Sequence, residues 1–246
     1  VRVRAVVAYD GTDYGGFQRQ RNAPTIQAEL ESALREITGR PTRILAAGRT
    51  DAGVHATGQV IAFDTTWRHE VAALQRALNA KLPPAIAVRT MAEAAADFHP
   101  RYDARRRAYR YTIYRDAVRH PLRERYALRI ARPLDVAAMQ RAAQSLLGEH
   151  DFLAFGSPPQ GDRSVRHLFR ADWEEEGPWL HFHIEANAFL YRMVRMIVGT
   201  LLRVGEGRLS AEAVADILRE RDRRRAGPAA PARGLTLTAV LYDEDS

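Results

Sequence analysis

The sequence predicts an α/β (α+β) fold with mainly antiparallel sheets, built twice along 246 residues. Three observations carry this. Short stretches alternate apolar and polar residues, the period of a half-buried strand, and between them lie stretches whose apolar residues recur every three or four positions, the period of a helix. In the first hundred residues these stretches follow in the order β-α-β-β-α-β. After Pro100 the order begins again.

The first strand is "VRVRAVVAYD", where Val1, Val3, Ala5, Val7 and Tyr9 alternate with Arg2 and Arg4. Pro24 and Thr25 open a helix, with Thr25 as N-cap. Its apolar stripe is Ile26, Leu30, Leu34 and Ile37, and Gly39 is a natural stop. Strands are expected near 42–47 and 57–64. A second helix is expected near 70–81, with Val71, Leu74 and Leu78 on one face, and a strand near 86–91 ends the half.

In the second half, 105–115 reads as a strand. Residues 135–147 read as a helix through Val136, Met139, Ala143 and Leu146, stopped by Gly148. Residues 165–174 and 179–186 form a hairpin around Glu176-Gly177-Pro178. Helices follow near 190–203 and 211–222, the second capped by Ser210, and "GLTLTAVLY" is a final strand. "AGPAAPARG" (226–234) reads as a mobile loop. The order is again β-α-β-β-α-β with one extra helix, which is the ferredoxin-like pattern. Two α/β domains are expected, 1–100 and 101–246.

Composition narrows the chemistry. There is no cysteine, which excludes disulfides and thiolate metal sites. No apolar run approaches the ~18 residues of a membrane span, and the first residues lack a signal-peptide pattern, so a cytoplasmic protein is expected. The net charge is +7, and Lys81 is the only lysine among the basic residues. Residues 101–132 carry 11 arginines against Asp103, Asp116 and Glu124, together with Tyr102, Tyr109, Tyr111, Tyr114 and Tyr126. Charge of this kind tracks phosphates, and interleaved rings stack on unpaired bases, so this segment suits a nucleic-acid surface, the other reading being a solvated strand face. The cluster Arg219, Arg221, Arg223, Arg224 and Arg225 reads instead as a charged helix end.

Several chemistries lack their residues. There is no G-x-x-x-x-G-K-[ST] loop for a nucleotide, and no G-x-G-x-x-G follows a strand. The cysteine pair of a zinc base deaminase is absent, and so is a G-x-S-x-G elbow. His181 and His183 share one side of a strand without an evident third ligand, and they read as polar-face residues opposite Leu180, Phe182 and Ile184.

There remains "AAGRTDAGVHATGQV" (46–60), with Asp51 between Gly48 and Gly53. A turn aspartate ordinarily bonds its own backbone. The other reading is that the glycines let the chain present Asp51 for catalysis. Composition and spacing leave both open.

"GRTDAGVHATGQV" resembles the signature of the tRNA pseudouridine synthase A family, and the likeness runs along nearly the whole chain. "YDGTDYGGFQRQ" (9–20), "DFHPRYDARRRAYRYTIY" (97–114), "ANAFLYRMVRMIVG" (186–199) and "GLTLTAVLY" (234–242) resemble its other motifs in family order. Phe17 stands where tryptophan is common, and Leu190-Tyr191-Arg192 replaces a more histidine-rich stretch. The resemblance implies isomerisation of uridine to pseudouridine at three adjacent positions on the 3′ side of the tRNA anticodon stem-loop. It implies a homodimer that uses no cofactor and no metal. By motif position it makes Asp51 the essential aspartate, Tyr109 the tyrosine that packs on the target uracil, Arg195 the arginine that pairs with the aspartate, and Arg49 the arginine linked to base flipping. The active site is then expected in a cleft between the two halves.

The residues suit that chemistry. The N1–C1′ bond breaks, the base turns, and C5 joins C1′, so nothing is oxidised and no group leaves. An ionised carboxylate can attack C1′, attack C6 of the ring, or remove a sugar proton; the sequence selects none of the three. A neighbouring cation favours the charged carboxylate. Reaching a base inside a stem requires flipping it out, at a cost of a few kcal/mol, which stacking on an aromatic offsets by roughly 1–3 kcal/mol. His55 is expected to hold the loop. The competing function is a non-catalytic RNA-binding protein of the same fold. A glycoside or nucleoside hydrolase fits less well, since it wants a second carboxylate and none stands out near Asp51.

Overall fold

The computed structural model describes residues 1–158 and 161–243. The chain divides into two compact units, Val1–Arg105 with Thr236–Ser246, and Arg106–Leu235. The predicted fold class is borne out, with mixed α/β elements and largely antiparallel pairing.

The first unit begins with β1 (Arg2–Tyr9), followed by α1 (Ile26–Thr38), β2 (Leu45–Ala46), β3 (His55–Asp64), α2 (Val71–Lys81) and β4 (Ile86–Glu93). The order is the expected one. β1 lies between β4 and β3, antiparallel to both, and β2 is antiparallel to β3. Alternation in β1 becomes burial, with Val3, Ala5, Val7 and Tyr9 inside. Each such side chain removed from water stabilises the fold by up to about 1.5–3 kcal/mol. Both caps of α1 are those read from sequence. Thr25 accepts from the Ala28 N–H, and Gly39 takes φ 70°, where it carries no Cβ penalty. The strand expected at 42–47 shrinks to two residues.

The second unit holds β5 (Arg106–Arg115), α3 (Pro121–Glu124), β6 (Leu128–Ile130), α4 (Val136–Gln144), β7 (Gly148–Asp151), β8 (Val165–Glu176), β9 (Trp179–Ala186), α5 (Met193–Gly205) and α6 (Ala211–Glu220). The hairpin β8–β9 turns at Gly177, and β9 pairs antiparallel with β5. One sheet face carries Tyr111, Ile113, Leu180, Phe182 and Ile184, buried together with Met139 of α4 and Ile197 and Leu201 of α5. The opposite face carries His181 and His183, as read from the alternation. His183 Nε2 lies 3.0 Å from Glu174, and the His181 ring stacks on Trp179.

Three details depart from expectation. α3, β6 and β7 have only three or four residues each, too few to show a period. The final strand, β10 (Leu235–Leu241), pairs parallel to the start of β3, with Thr236 opposite His55. Residues 226–234 are packed rather than mobile. The Gly227 N–H donates to Thr200 Oγ1 at 2.8 Å, and Tyr111 donates its hydroxyl to Pro231 O at 2.8 Å. Gly199 lets this stretch lie against α5, since a Cβ there would come 1.8 Å from Pro228 O.

Candidate active site

Asp51 lies in the loop joining β2 to β3 and is half-buried. Its carbonyl accepts from the Val54 N–H at 3.1 Å, which closes a four-residue turn. Gly53 is third in that turn with φ 76°, as a type II turn requires. The turn reading holds for the backbone, and it is compatible with a catalytic role for the carboxylate. Gly48, by contrast, has no positive φ; its carbonyl accepts from Gln59 Nε2 at 2.9 Å.

The loop is clamped by residues 9–17. Tyr9 and Thr50 share a hydroxyl–hydroxyl hydrogen bond of 2.7 Å, fully buried, one residue before Asp51. The Phe17 N–H donates to Thr50 O at 3.1 Å. Gly16, at φ 103°, passes so close that a Cβ would come 2.7 Å from Thr50 O. Gly11 passes as closely on the other side, 2.0 Å from Val54 O on the same construction, and its N–H donates to His55 Nδ1 at 3.1 Å. His55 is buried, in keeping with a loop-holding role. Burial pushes the Tyr9 phenol up to about 12, against the hydrogen bonds from Thr50 and Gln59.

The sequence reading passed over this clamp. Its signal was the "GG" at 15–16 of "YDGTDYGGF", two glycines in a row where the chain makes a close approach. Arg49 lies two residues before Asp51 with its side chain exposed.

Tyr109 and Arg195 belong to the second unit. Tyr109 sits opposite Ile184 on the face that buries Tyr111 and Ile113, yet it is itself only half-buried. Phe189 braces its ring edge-on at 5.2 Å. Arg195 is in the first turn of α5. Its Nε donates to Ala230 O at 2.7 Å, and the Ala230 N–H donates back to Arg195 O at 2.9 Å. The packed stretch 226–234 thus fixes the arginine's direction. Its charge reaches Tyr111, whose phenol burial pushes up and Arg195 and Arg233 pull down.

Among the described residues, no group of three or more His, Asp or Glu side chains is arranged to hold a metal ion, and no helix is long and apolar enough to cross a membrane.

A model of the tRNA pseudouridine synthase family matches residues 5–103 and 142–243. The chain is 45% identical over 246 residues to a tRNA pseudouridine synthase A of Syntrophomonas wolfei, covering 100% of this chain and 99% of the relative. It is 48% identical over 249 residues to one from Moorella thermoacetica, covering 98% and 99%. A relative of the same description from Chloroflexus aurantiacus is 48% identical over 248 residues, covering 98% and 88%.

Proposed function

The chain belongs to the tRNA pseudouridine synthase family, and from that premise we propose that it isomerises uridine to pseudouridine in tRNA with Asp51 as the essential catalyst. The observation that carries this reading is full-length likeness to relatives of that description, 45% and 48% identical. The clamp around the Asp51 loop supports it, because a carboxylate that must meet a sugar or ring carbon needs a fixed position.

The substrate-binding roles of Tyr109, Arg195 and Arg49 are part of the same proposal. A half-buried tyrosine braced edge-on by Phe189 suits a platform for an extruded uracil. An arginine whose Nε is already committed to Ala230 presents the rest of its guanidinium in one direction, and a cation favours an ionised aspartate. Arg49, exposed beside the catalytic loop, suits the place left in the stem by the flipped base. We assign the target to the 3′ side of the anticodon stem-loop, the active form to a homodimer, and the compartment to the cytoplasm, all on family resemblance.

Every route open to Asp51 ends with loss of the C5 proton of uracil. Release of tritium from tRNA transcripts labelled at C5 is therefore the test. The wild type is expected to release it. Asp51→Ala is expected to release none while binding tRNA almost as before. Turnover by Asp51→Ala would move the catalyst elsewhere, and a wild type without release would end the isomerase reading. Sedimentation at twice the chain mass of 27.7 kDa tests the dimer.

A further inference from the structure

Tyr191 and Arg192 precede α5 and take no part in the site described above. Their backbone is fixed. The Tyr191 N–H donates to Ser157 O at 2.9 Å, and the Ser157 N–H donates to Tyr191 O at 3.4 Å, an isolated antiparallel bridge. Gly156 makes the approach possible, since a Cβ there would come 2.6 Å from the Leu190 Cβ. Arg192 follows at φ 61° and ψ 7°, the left-handed region. That conformation suits glycine or asparagine and is costly for a residue with a long side chain.

No side-chain hydrogen bond or ion pair among the described residues repays the arginine for this. Its carbonyl accepts from the Met196 N–H at 3.0 Å, which any residue would do, and its side chain makes no capping bond. Among the described residues it has no carboxylate partner. Instead its guanidinium lies 5.0 Å from the centre of the Tyr191 ring, and that ring is 52% exposed. Arg223 sends Nη1 to Ser157 Oγ at 3.1 Å, so a second guanidinium without a carboxylate partner among the described residues joins the patch. An exposed ring on a fixed backbone, with the guanidinium of a strained residue against it and a second guanidinium on the bridging Ser157, is arranged for an outside ligand. Asp222 and Glu220 nearby are engaged by Arg224 and Arg225, so the guanidinium groups of Arg192 and Arg223 fit a polyanion, and the ring adds a stacking face.

We propose that Tyr191 and Arg192 form a second RNA contact, in which the Tyr191 ring stacks on an unpaired base of the tRNA and Arg192 holds the adjacent phosphate. This rests on tRNA being the substrate. It assigns a grip on the RNA to residues beyond those given roles in the reaction.

The test measures tRNA affinity at several salt concentrations, with thermal melting of the same proteins. Tyr191→Ala is expected to weaken binding about tenfold, as loss of one stacked base does. Arg192→Gly is expected to flatten the slope of log affinity against log salt by about one, as loss of one phosphate contact does. The same change is expected to leave the melting temperature unchanged or raised, because glycine accepts the positive φ. Wild-type affinity and slope in both variants would overturn the proposal. So would a lowered melting temperature in Arg192→Gly with affinity intact, since that would make the arginine structural. Binding is read apart from turnover. A wild type that bound tRNA through these residues but released no tritium would sink the isomerase reading and leave this contact standing.

Discussion

Tyr9 and Thr50 are joined by a buried 2.7 Å hydrogen bond, which anchors the Asp51 loop to the end of β1 one residue before Asp51. Gln59 on β3 approaches the same phenol at 3.5 Å and holds Gly48 O at 2.9 Å. The backbone on either side of the aspartate is thus tied to β1 and β3.

Tyr9→Phe removes one member of that network. The expected cost is about 1 kcal/mol at neutral pH, the usual worth of a buried hydrogen bond. The expected catalytic effect is a lower kcat at unchanged KM, because the loop loosens while the RNA-binding surface stays. The phenol's pKa is raised in the folded state, to about 12. The neutral form is therefore favoured by folding, and its contribution is complete below the unfolded value of about 10 and lost as pH rises through about 12. Urea unfolding at alkaline pH checks this. The wild type should lose stability more steeply than Tyr9→Phe in that window.

Gly16→Ala tests the close approach. The residue has φ 103°, and an added Cβ would press on Thr50 O at 2.7 Å. Both effects oppose the change, for an expected loss of about 1–3 kcal/mol. Gly39→Ala is the matched control. It also has positive φ, at 70°, but nothing lies within 4 Å. It should cost about 1 kcal/mol and leave kcat alone, whereas Gly16→Ala should lower kcat as well as stability. Equal kcat values in the two variants would remove the clamp from the catalytic argument.

How much of this was legible in the sequence depends on how local each feature is. The alternation of Val3, Ala5, Val7 and Tyr9 and the caps Thr25 and Gly39 are properties of neighbouring residues, and each reads directly. The start of α5 does not. Leu190 continues the apolar stripe, but Tyr191 is taken by a bridge to Ser157 and Arg192 by a left-handed turn, so the helix begins at Met193. The partner of β10 is a long-range choice that its own alternation cannot express. The same holds at the site. Asp51 and Gly53 could be read as a turn, but the hold of Gly11, Gly16 and Tyr9 on that turn comes from a segment some forty residues earlier.

Acid should weaken the second unit through His181 and His183. Burial pushes both below 6.5, helped by Arg110 for His181 and by Arg170 for His183, while Glu174 pulls both back in part. The unfolded chain therefore takes up protons first. Stability from these neutral histidines is complete above pH 6.5 and is lost as pH falls through the lower folded values. The melting temperature should drop between about pH 7 and about pH 5, within the range where histidine titrates. His181→Gln/His183→Gln should flatten that drop. An unaltered profile in the double variant would place the acid sensitivity elsewhere.

The arginines of 101–132 should not contribute equally to tRNA binding, although the sequence counts them alike. Arg115 is engaged with Glu175 at 2.7 Å and with Gly177 O at 3.0 Å. Arg106 pairs with Glu185 at 3.0 Å and lies over the Phe169 ring. These charges are compensated within the fold, and RNA must compete with a carboxylate to use them. Arg119 is exposed and, among the described residues, has no such partner. Arg119→Ala should therefore reduce the slope of log affinity against log salt by about one without lowering the melting temperature. Arg115→Ala should keep most of the wild-type slope and give up a little stability, since a partly exposed ion pair is worth about 0–1 kcal/mol. Filter binding over a salt series, with melting curves on the same samples, separates the two. An equal change of slope in both variants would mean that the Glu175 pair opens to the RNA, and the segment would then act with its full formal charge.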